Sequence, residues 1–403
     1  MILTTTDGQS DLPRYFQRSF EIAQQLEKGR LDVELPDGRL FRADSGQPGH
    51  VAMIKIHDPD VFTRLVREGY LGFCEAYMDG AWSSPDLQAF MDLLNAGNDD
   101  MYNGYPGQWL VQSYEKLRFW MQRNHKTQAR KNISYHYDLG NNFYEAWLDD
   151  TMTYSSALFE DGPQQSLEAA QTAKYASMVD QMGAQPGDHV LEIGCGWGGF
   201  AEYAAKERGL KVTGLTISEE QFNYAKQRIE DAGLSGRVEF KLQDYRDERG
   251  SYDGIASIEM FEAVGEKYWP AYFKTVKERL KPGKSATLQI ITVHDARWEV
   301  YRNEVDFIQK YIFPGGMLPS PRVLRQQVEK AGLGVERSIE FGSSYDLTLR
   351  RWYETFNEKW DQIAAMGFDT RFRRMWNFYL TSCAAAFDSG NCDVTQITVR
   401  RPS

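Results

Sequence analysis

The chain has 403 residues, enough for two or three domains, and 42% of them are hydrophobic, as in a globular protein. Its formal net charge of −11 argues against non-specific binding to nucleic acid, whose phosphates repel an acidic surface. No apolar run reaches the ~20 residues that span a bilayer. Residues 1–30 lack a signal-peptide pattern, and the four cysteines and six histidines show no disulfide or metal spacing. We therefore expect a cytoplasmic protein without a metal site.

Residues 1–113 have the pattern of a small accessory α+β domain. Helical periodicity over Asp11–Lys28 is followed by alternation over Leu31–Phe41, which contains the hairpin-turn signal Pro36-Asp37-Gly38. Four further elements are predicted: a strand over Val51–His57 and helices over Asp60–Glu68, Leu71–Met78 and Asp86–Asn95. No residue pattern in this region points to catalysis, so we expect a covering or assembly domain.

The predicted linker, residues 114–133, is basic. Its stretch Tyr114–Lys131 contains six lysines and arginines against one acid, with aromatic and aliphatic side chains between them. Such a stretch either contacts an anionic membrane surface or forms a solvated helix between domains. A second and weaker candidate is Phe368–Trp376, where three arginines lie beside two phenylalanines and a tryptophan.

The most informative local pattern is His189–Gly199, which reads HVLEIGCGWGG. A short apolar run ends in a turn with glycines at 194, 196, 198 and 199, and a helical pattern follows over Phe200–Arg208. This order of strand, glycine-rich turn and helix is typical of the nucleotide-binding corner of a doubly wound α/β domain. Glycine is needed because a side chain would keep the ligand from the backbone or forbid the turn.

Two cofactors compete for this turn. Its glycine spacing also satisfies the fingerprint of dinucleotide-binding sites. An NAD site, however, has an acidic residue at the end of the next strand, which binds the ribose hydroxyl groups. The predicted strand Lys211–Ile217 ends without such a residue. Glu192 instead lies two residues before the first glycine. This Glu-x-Gly-x-Gly arrangement resembles the S-adenosylmethionine (SAM) corner of class I methyltransferases, so SAM is favoured over NAD.

From residue 134 onward, a series of motifs occurs in a defined order. They are Tyr135–Asn141, Tyr154–Ala157, Thr216–Gln221, Leu242–Asp247, Met260–Gly265, Tyr311–Gly316 and Ser344–Asp346. This set resembles the cyclopropane-fatty-acyl-phospholipid synthases and their mycolic-acid methyltransferase relatives, over roughly residues 130–400. The phospholipid-acting branch of that family also carries an N-terminal domain like residues 1–130.

The resemblance implies a fold and a cofactor. Residues 134–403 would form a class I SAM-dependent methyltransferase domain, a Rossmann-like doubly wound sheet of seven mostly parallel strands with helices on both faces. Insertions around residues 295–355 would form an acyl channel. The family's SAM contacts match Tyr154, Ser155, Glu192, Gly194, Cys195, Gly196, Trp197, Gly198, Thr216, Ser218, Gln221, Gln243 and Asp244. Asp244 would accept from the adenine amino group or, alternatively, cap a helix.

The resemblance also implies a reaction. Members transfer the methyl group of SAM to a cis double bond of an acyl chain, and in ring-forming members a bound bicarbonate then takes a proton from the carbocation. Glu262 and Tyr345 match the active-site glutamate and tyrosine; their alternative roles are a salt bridge and packing. Three positions depart: the family's cysteine is Ser156, and its two histidines are Ala263 and Gln289.

Two of these departures, Ser156 and Gln289, concern the anion site. Ser156 and Gln289 can donate hydrogen bonds, but neither can carry a proton as histidine can. Two products therefore stay open: a cyclopropane, or a methyl-branched or methylene acyl chain, including a step towards furan fatty acids. An NAD-dependent oxidoreductase and a non-catalytic lipid- or SAM-binding module are the alternatives from other classes.

The partners that the resemblance implies are lipids. The expected substrate is the unsaturated acyl chain of membrane phospholipids. The expected location is peripheral, on the anionic inner face of the cytoplasmic membrane, and a homodimer is left open. No nucleic acid is expected.

Overall fold

The computed structural model describes residues 2–96 and 139–403, together with residues 113, 115, 116 and 128. Most of the basic stretch Tyr114–Lys131 and the start of the motif Tyr135–Asn141 lie outside the described residues, so their roles stay predictions. The chain divides into two compact units, each with its own sheet.

The described strands and α-helices have the following bounds. The strands are β1 (Ile2–Leu3), β2 (Arg30–Glu34), β3 (Leu40–Asp44), β4 (Val51–Ile56), β5 (Trp82–Ser83), β6 (His189–Ile193), β7 (Lys211–Thr216), β8 (Val238–Leu242), β9 (Tyr252–Ile258), β10 (Leu280–Val293), β11 (Gly334–Glu340) and β12 (Cys392–Arg400). The helices are α1 (Phe16–Ala23), α2 (Asp60–Met78), α3 (Leu87–Asn95), α4 (Asn141–Glu145), α5 (Leu167–Met182), α6 (Gly199–Glu207), α7 (Glu219–Asp231), α8 (Trp269–Arg279), α9 (Trp298–Asn303), α10 (Pro321–Lys330), α11 (Gly342–Glu358), α12 (Trp360–Ala365) and α13 (Thr370–Asp388). None of these helices is long and apolar enough to cross a bilayer.

The first unit is discontinuous in sequence. It comprises the described residues of Met1–Arg118 and two later segments, Glu304–Tyr311 and Trp360–Asn391. This composition differs from the contiguous domains expected from the sequence, 1–113 and 134–403. Helix α13 packs on α3, where Nε2 of Gln88 donates to the carbonyl of Thr381 at 3.2 Å.

The sheet of the first unit has the strand order β1-β3-β2-β4-β5. Strands β2 and β3 form an antiparallel hairpin around Pro36-Asp37-Gly38, as the turn signal predicted. Helix α2 spans both helices predicted between residues 60 and 78, with a kink at Gly69, whose φ is 64° and ψ −144°. Asp86 caps α3 by accepting from the backbone of Ala89 at 2.9 Å. These elements agree with the predicted α+β pattern.

The second basic candidate, Phe368–Trp376, lies on and just before α13. Arg371 donates to Asp79 at 3.1 Å, and Arg374 donates to the carbonyl of Tyr77 at 3.2 Å. The guanidinium of Arg373 lies 5.2 Å from the ring centroid of Trp360. All three arginines therefore have partners inside the first unit, which favours a packing role for this stretch.

The second unit contains the sheet predicted for a class I methyltransferase. Its seven strands have the order β11-β12-β10-β9-β6-β7-β8. The five strands from β10 to β8 are parallel, and β12 runs antiparallel to both β10 and β11. The predicted seven-stranded, mostly parallel α/β sheet is confirmed. Because ligands bind at the carboxyl ends of the parallel strands in such sheets, this edge is where a site is expected.

Candidate active site

The glycine turn follows the central strand β6 at this edge. Gly194, Gly196 and Gly198 have φ values of 83°, 50° and 85°, a region that residues with a Cβ rarely adopt. A Cβ on Gly194 would lie 2.7 Å from Cγ of Met260, whereas a Cβ on Gly196 would have no atom of the described residues within 4 Å. The turn is therefore packed against protein at Gly194 and open at Gly196, which leaves room for a ligand against its backbone.

Glu192 lies on β6, two residues before this turn, and is 3% exposed. Burial raises the pKa of its carboxyl well above the usual value. Within the described part of the chain, its Oε2 has no hydrogen-bond partner. A buried acceptor without a partner is costly unless a ligand satisfies it. The hydroxyl groups and the ammonium group of SAM are donors that fit this oxygen.

The other predicted SAM contacts follow the ends of β7 and β8, the next two strands of the sheet. Oγ1 of Thr216 donates to Oε1 of Gln221 at 3.0 Å, and Ser218 caps α7 by accepting from the backbone of Gln221. Nε2 of Gln243 donates to Glu248 at 3.2 Å. Asp244 caps a short 3₁₀ turn by accepting from the backbone of Arg246 at 2.9 Å, which is the alternative role weighed for it. Its contact with adenine stays a prediction.

A group of aromatic rings adjoins these positions. The ring centroid of Tyr154 lies 5.5 Å from Tyr144, 5.7 Å from Trp147 and 5.4 Å from Trp352. Trp352 also contacts Tyr345, at 6.2 Å. The group thus connects a predicted SAM contact with a predicted catalytic residue.

Three of the four predicted catalytic residues converge on a carboxylate that the sequence reasoning missed, that of Glu259. Its Oε1 accepts from the backbone N–H of Ser156 at 2.7 Å and from Nε2 of Gln289 at 2.9 Å. Its Oε2 accepts from the hydroxyl of Tyr345 at 2.7 Å. The Ser156 hydroxyl is directed elsewhere and donates to the carbonyl of Ala157 at 2.9 Å. Ser156 therefore donates to this anion through its backbone, not through the side chain that differs from the family.

The side-chain amide of Gln289 is held in one orientation. Gln289 on β10 is paired directly with Gln396 on β12, and Nε2 of Gln396 donates to Oε1 of Gln289 at 3.0 Å. Oε1 of Gln396 accepts in turn from Ser177 at 2.7 Å. With its oxygen engaged in this way, Gln289 presents its N–H groups to Glu259 and to the carbonyl of Ser156.

Glu262, the predicted active-site glutamate, lies one turn beyond Glu259. Its Oε1 accepts from the backbone N–H of Ile291 at 2.5 Å, and its Oε2 is buried without a partner among the described residues. Burial, together with the charge of Glu259, raises the pKa of Glu262 to about 8. Near neutral pH, Glu262 is therefore largely protonated, and the two acids need not both be charged.

Lys174 is a buried cation at the same site. Its Nζ donates to Oγ of Ser155 at 2.7 Å. Burial lowers the pKa of Lys174 to about 7, although Glu259 acts in the opposite direction. Burial likewise raises the pKa of Glu259, which Lys174 opposes. This lysine was not predicted as a site residue, because a single lysine in a helical pattern usually lies on a solvated face.

The structure thus gathers the predicted residues into two neighbouring groups. Tyr154, Ser155 and the positions after β6, β7 and β8 lie along the carboxyl edge, with Cys195 and Trp197 buried inside the glycine turn. Nε1 of Trp197 donates to Asn141 at 2.7 Å. The second group surrounds Glu259. The sequence did contain a signal for this residue, because an acidic residue directly follows a parallel strand.

Comparison with known proteins places this arrangement in a family. The family model described as mycolic acid cyclopropane synthetase matches residues 124–397. The chain is 42% identical over 354 residues to the tuberculostearic acid methyltransferase UfaA1 of Mycobacterium tuberculosis, covering 86% of this chain and 82% of that protein. It is 38% identical over 355 residues to the cyclopropane-fatty-acyl-phospholipid synthase of Escherichia coli K12, covering 87% and 88%.

The chain belongs to the mycolic acid cyclopropane synthetase family. The cyclopropane synthase MmaA2 from Mycobacterium tuberculosis superposes with a TM-score of 0.63 at 30% identity, covering 67% of this chain and 97% of that chain. The mycolic acid cyclopropane synthase CmaA1, solved as a complex with SAH and CTAB, superposes with a TM-score of 0.64 at 29% identity, covering 69% and 99%. This member is therefore a SAM-dependent methyltransferase, as predicted, and its family modifies fatty acyl chains.

The family resemblance also implied a bound bicarbonate. The arrangement of the side chains in this protein does not fit that anion. Three of the groups predicted to surround that anion, at Ser156, Gln289 and Tyr345, already donate to the carboxylate of Glu259. A second anion among the same donors would face a like charge at short range, which is unfavourable in a poorly hydrated site.

Proposed function

We propose that this protein transfers the methyl group of SAM to the cis double bond of unsaturated acyl chains in membrane phospholipids. The observation that carries the proposal is the convergence of Ser156, Gln289 and Tyr345 on one carboxylate, next to the aromatic rings around Tyr154. An alkene is a poor nucleophile, so it must be held close to the methyl donor. The cation that follows needs a fixed anion nearby.

The extent of the similarities favours phospholipids over mycolic acids as substrate. MmaA2 and CmaA1 match over nearly their whole length, yet they cover only 67% and 69% of this chain. The Escherichia coli phospholipid synthase covers 87% of it. The part of the chain outside the family model, before residue 124, is thus shared in large part with an enzyme whose name specifies phospholipid.

Each part of the site has a role in this reaction. SAM, held at the glycine turn, supplies an electrophilic methyl group. Glu192 and the open backbone at Gly196 would bind and orient the donor. The rings of Tyr154 and Trp352 would exclude water from the acyl chain and present π-faces to a cation.

Of the two product classes left open by the sequence, we favour an unringed product, a methylene or methyl-branched acyl chain. The three donors around the predicted anion position are bonded to Glu259, which sets this site apart from the bicarbonate site expected of ring-forming members. UfaA1, a tuberculostearic acid methyltransferase by name, is also 42% identical to this chain, against 38% for the Escherichia coli synthase.

The test is methyl transfer from labelled SAM to vesicles of two compositions. Vesicles of dioleoyl-phosphatidylglycerol should gain label in their acyl chains, and vesicles of distearoyl-phosphatidylglycerol should gain none, because they contain no double bond. The two lipids share a head group and a chain length, so their covalent structures differ only in the double bond. Equal labelling of both, or labelling of the head group, would refute the proposal.

We also propose that the basic stretch Tyr114–Lys131 recruits the protein to the membrane despite its net charge of −11. Changing Arg123, Lys126 and Arg130 to Gln should weaken binding to anionic vesicles at low salt by about 100-fold, since each cation near the surface contributes about 1 kcal/mol. Added salt should reduce binding of the parent protein in the same way.

Vesicle co-sedimentation measures this effect, and the control removes the same charge elsewhere. The variant Lys226→Gln, Lys274→Gln, Arg337→Gln loses three positive charges from exposed positions of the second unit. It should bind like the parent. If both variants bind alike, net charge and not this stretch governs recruitment.

A further inference from the structure

We propose that Glu259 is the base of the reaction, a carboxylate of the chain that stands where the ring-forming relatives are expected to use an exchangeable bicarbonate. The proposal rests on the proposed function, because it concerns the proton lost after methyl transfer to an alkene. It adds a catalytic residue that the motif pattern did not single out. It also predicts that this enzyme works without added bicarbonate.

The first support is the set of contacts. The carboxylate of Glu259 accepts three hydrogen bonds, from a backbone N–H, an amide N–H and a phenolic O–H, at 2.7 to 2.9 Å. All three partners are donors towards it, a pattern that suits an ionised carboxylate. Ser156, Gln289 and Tyr345 are three of the four positions that the family resemblance assigns to the anion site, the fourth being Glu262. Glu259 therefore supplies the anion from within the chain.

The second support is the backbone. Glu259 directly follows β9, and its N–H donates to the carbonyl of Gln289 at 2.9 Å, which ties it to β10. Its φ is 48°, in the left-handed region, which costs an ordinary residue about 1–2 kcal/mol. Strain of this kind in a non-glycine residue is concentrated at functional sites, where the surrounding structure holds it in place. Here it directs the side chain at the three donors.

The third support is access and charge. Glu259 is half-buried, so part of its surface remains open to an occupant of the site. Burial raises the pKa of Glu259, and the positive charge of Lys174, which is fully buried nearby, opposes that shift together with the three hydrogen bonds. Glu262, whose pKa is raised to about 8, is largely protonated near neutral pH and so places little like charge beside Glu259.

The step balances without any further reactant. Methyl transfer to the alkene leaves a carbocation on the acyl chain. Glu259 then takes one proton from a chain carbon next to the cationic centre, or from the new methyl group once a 1,2-hydride shift has moved the cation to the methyl-bearing carbon. In either case the electron pair of the broken C–H bond forms the new double bond. The carboxylate becomes a carboxylic acid, which returns its proton to solvent before the next turnover.

Two substitutions at one position test the proposal. Glu259→Gln keeps the shape but removes the base, and should lower turnover by about 10²- to 10⁴-fold, the usual contribution of a general base. Glu259→Gly removes the side chain at a backbone conformation that glycine prefers, so it should fold. Without an added anion, Glu259→Gly should be as inactive as Glu259→Gln. Added bicarbonate or formate should restore activity to Glu259→Gly and should not restore it to Glu259→Gln.

A binding measurement accompanies the kinetics. In thermal-shift titrations, bicarbonate and formate should raise the melting temperature of Glu259→Gly but not that of the parent or of Glu259→Gln. SAM affinity, measured by calorimetry, should be the same in all three proteins. Full activity of Glu259→Gly without an added anion would overturn the proposal. So would a parent enzyme that loses activity in bicarbonate-free buffer and regains it when bicarbonate is added.

Failure of this proposal can be told from failure of the proposed function. If the parent enzyme labels no unsaturated lipid, the proposed function fails, while the anion titrations of Glu259→Gly still report whether Glu259 fills an anion site. If the parent labels unsaturated lipid and both Glu259 variants do so at the parental rate, only the assignment of the base is wrong.

Discussion

A Gly196→Val variant is expected to lose SAM affinity by about 100-fold or more, equivalent to about 2.8 kcal/mol, without unfolding. The reason is local geometry at the glycine turn. Within the part of the chain that the structure describes, a Cβ at this position would have no atom within 4 Å, so a branched side chain would enter the space in front of the turn. That space is where the backbone of the turn must approach the cofactor.

Calorimetric titration with SAM measures the loss, and Gly233→Val is the matched control. Gly233 also has a positive φ, 68°, and none of the described residues would lie within 4 Å of its Cβ, but it precedes β8, at the amino end of the sheet. In both variants the strained backbone should lower the free energy of unfolding by a similar amount, about 1–2 kcal/mol. Only Gly196→Val should lose the cofactor. Parental affinity in Gly196→Val would show that SAM does not bind against this turn.

The second prediction concerns the product formed from SAM with a trideuterated methyl group. Proton loss from a chain carbon gives a methyl-branched alkene that retains three deuteriums. Proton loss from the new methyl group gives a cyclopropane directly, or a methylene product after a 1,2-hydride shift to the cationic carbon, and both retain two. An unringed product of either kind keeps a double bond, so mild catalytic hydrogenation should add two hydrogens to it. Mass spectrometry before and after hydrogenation measures the number of deuterium atoms retained and the number of hydrogen atoms taken up.

We expect every methylated chain to gain two hydrogens, because Glu259 occupies the donors that are expected to hold bicarbonate in ring-forming members. The Escherichia coli cyclopropane synthase, treated in parallel, provides a control whose ring resists mild hydrogenation. A product with two deuteriums that takes up no hydrogen would be a cyclopropane. That result would refute the unringed product and show that Ser156 and Gln289 can serve ring closure.

Much of the fold could be predicted from the sequence because its signals are local. The order of strand, glycine turn and helix over His189–Gly199 depends on neighbouring residues, and β6 and α6 form there as predicted. Ser218, which the sequence predicted only as a SAM contact, also caps α7 by accepting from the backbone of Gln221. The hairpin at Pro36-Asp37-Gly38 follows from turn chemistry in the same way.

The composition of the first unit was decided by tertiary structure. Helix α13 is encoded close to the end of the chain but packs on α3, and Gln88 and Thr381 are 293 residues apart. The helical patterns of α3 and α13 show which of their residues are apolar. They do not show which other helix each apolar face packs against. A contiguous division of the sequence was therefore unable to anticipate a unit built from three segments.

The sequence alone thus determined the family's sheet, the cofactor corner and the catalytic candidates Ser156, Gln289 and Tyr345. Only the tertiary structure decided that they meet at Glu259, because they are separated from it by 103, 30 and 86 residues respectively. The left-handed backbone conformation at Glu259 directs its carboxylate at these donors. Glutamate rarely adopts this conformation, so the residue type gives no indication of it. The pairing of β9 with β10 fixes that backbone, and a local pattern carries no information about such a pairing.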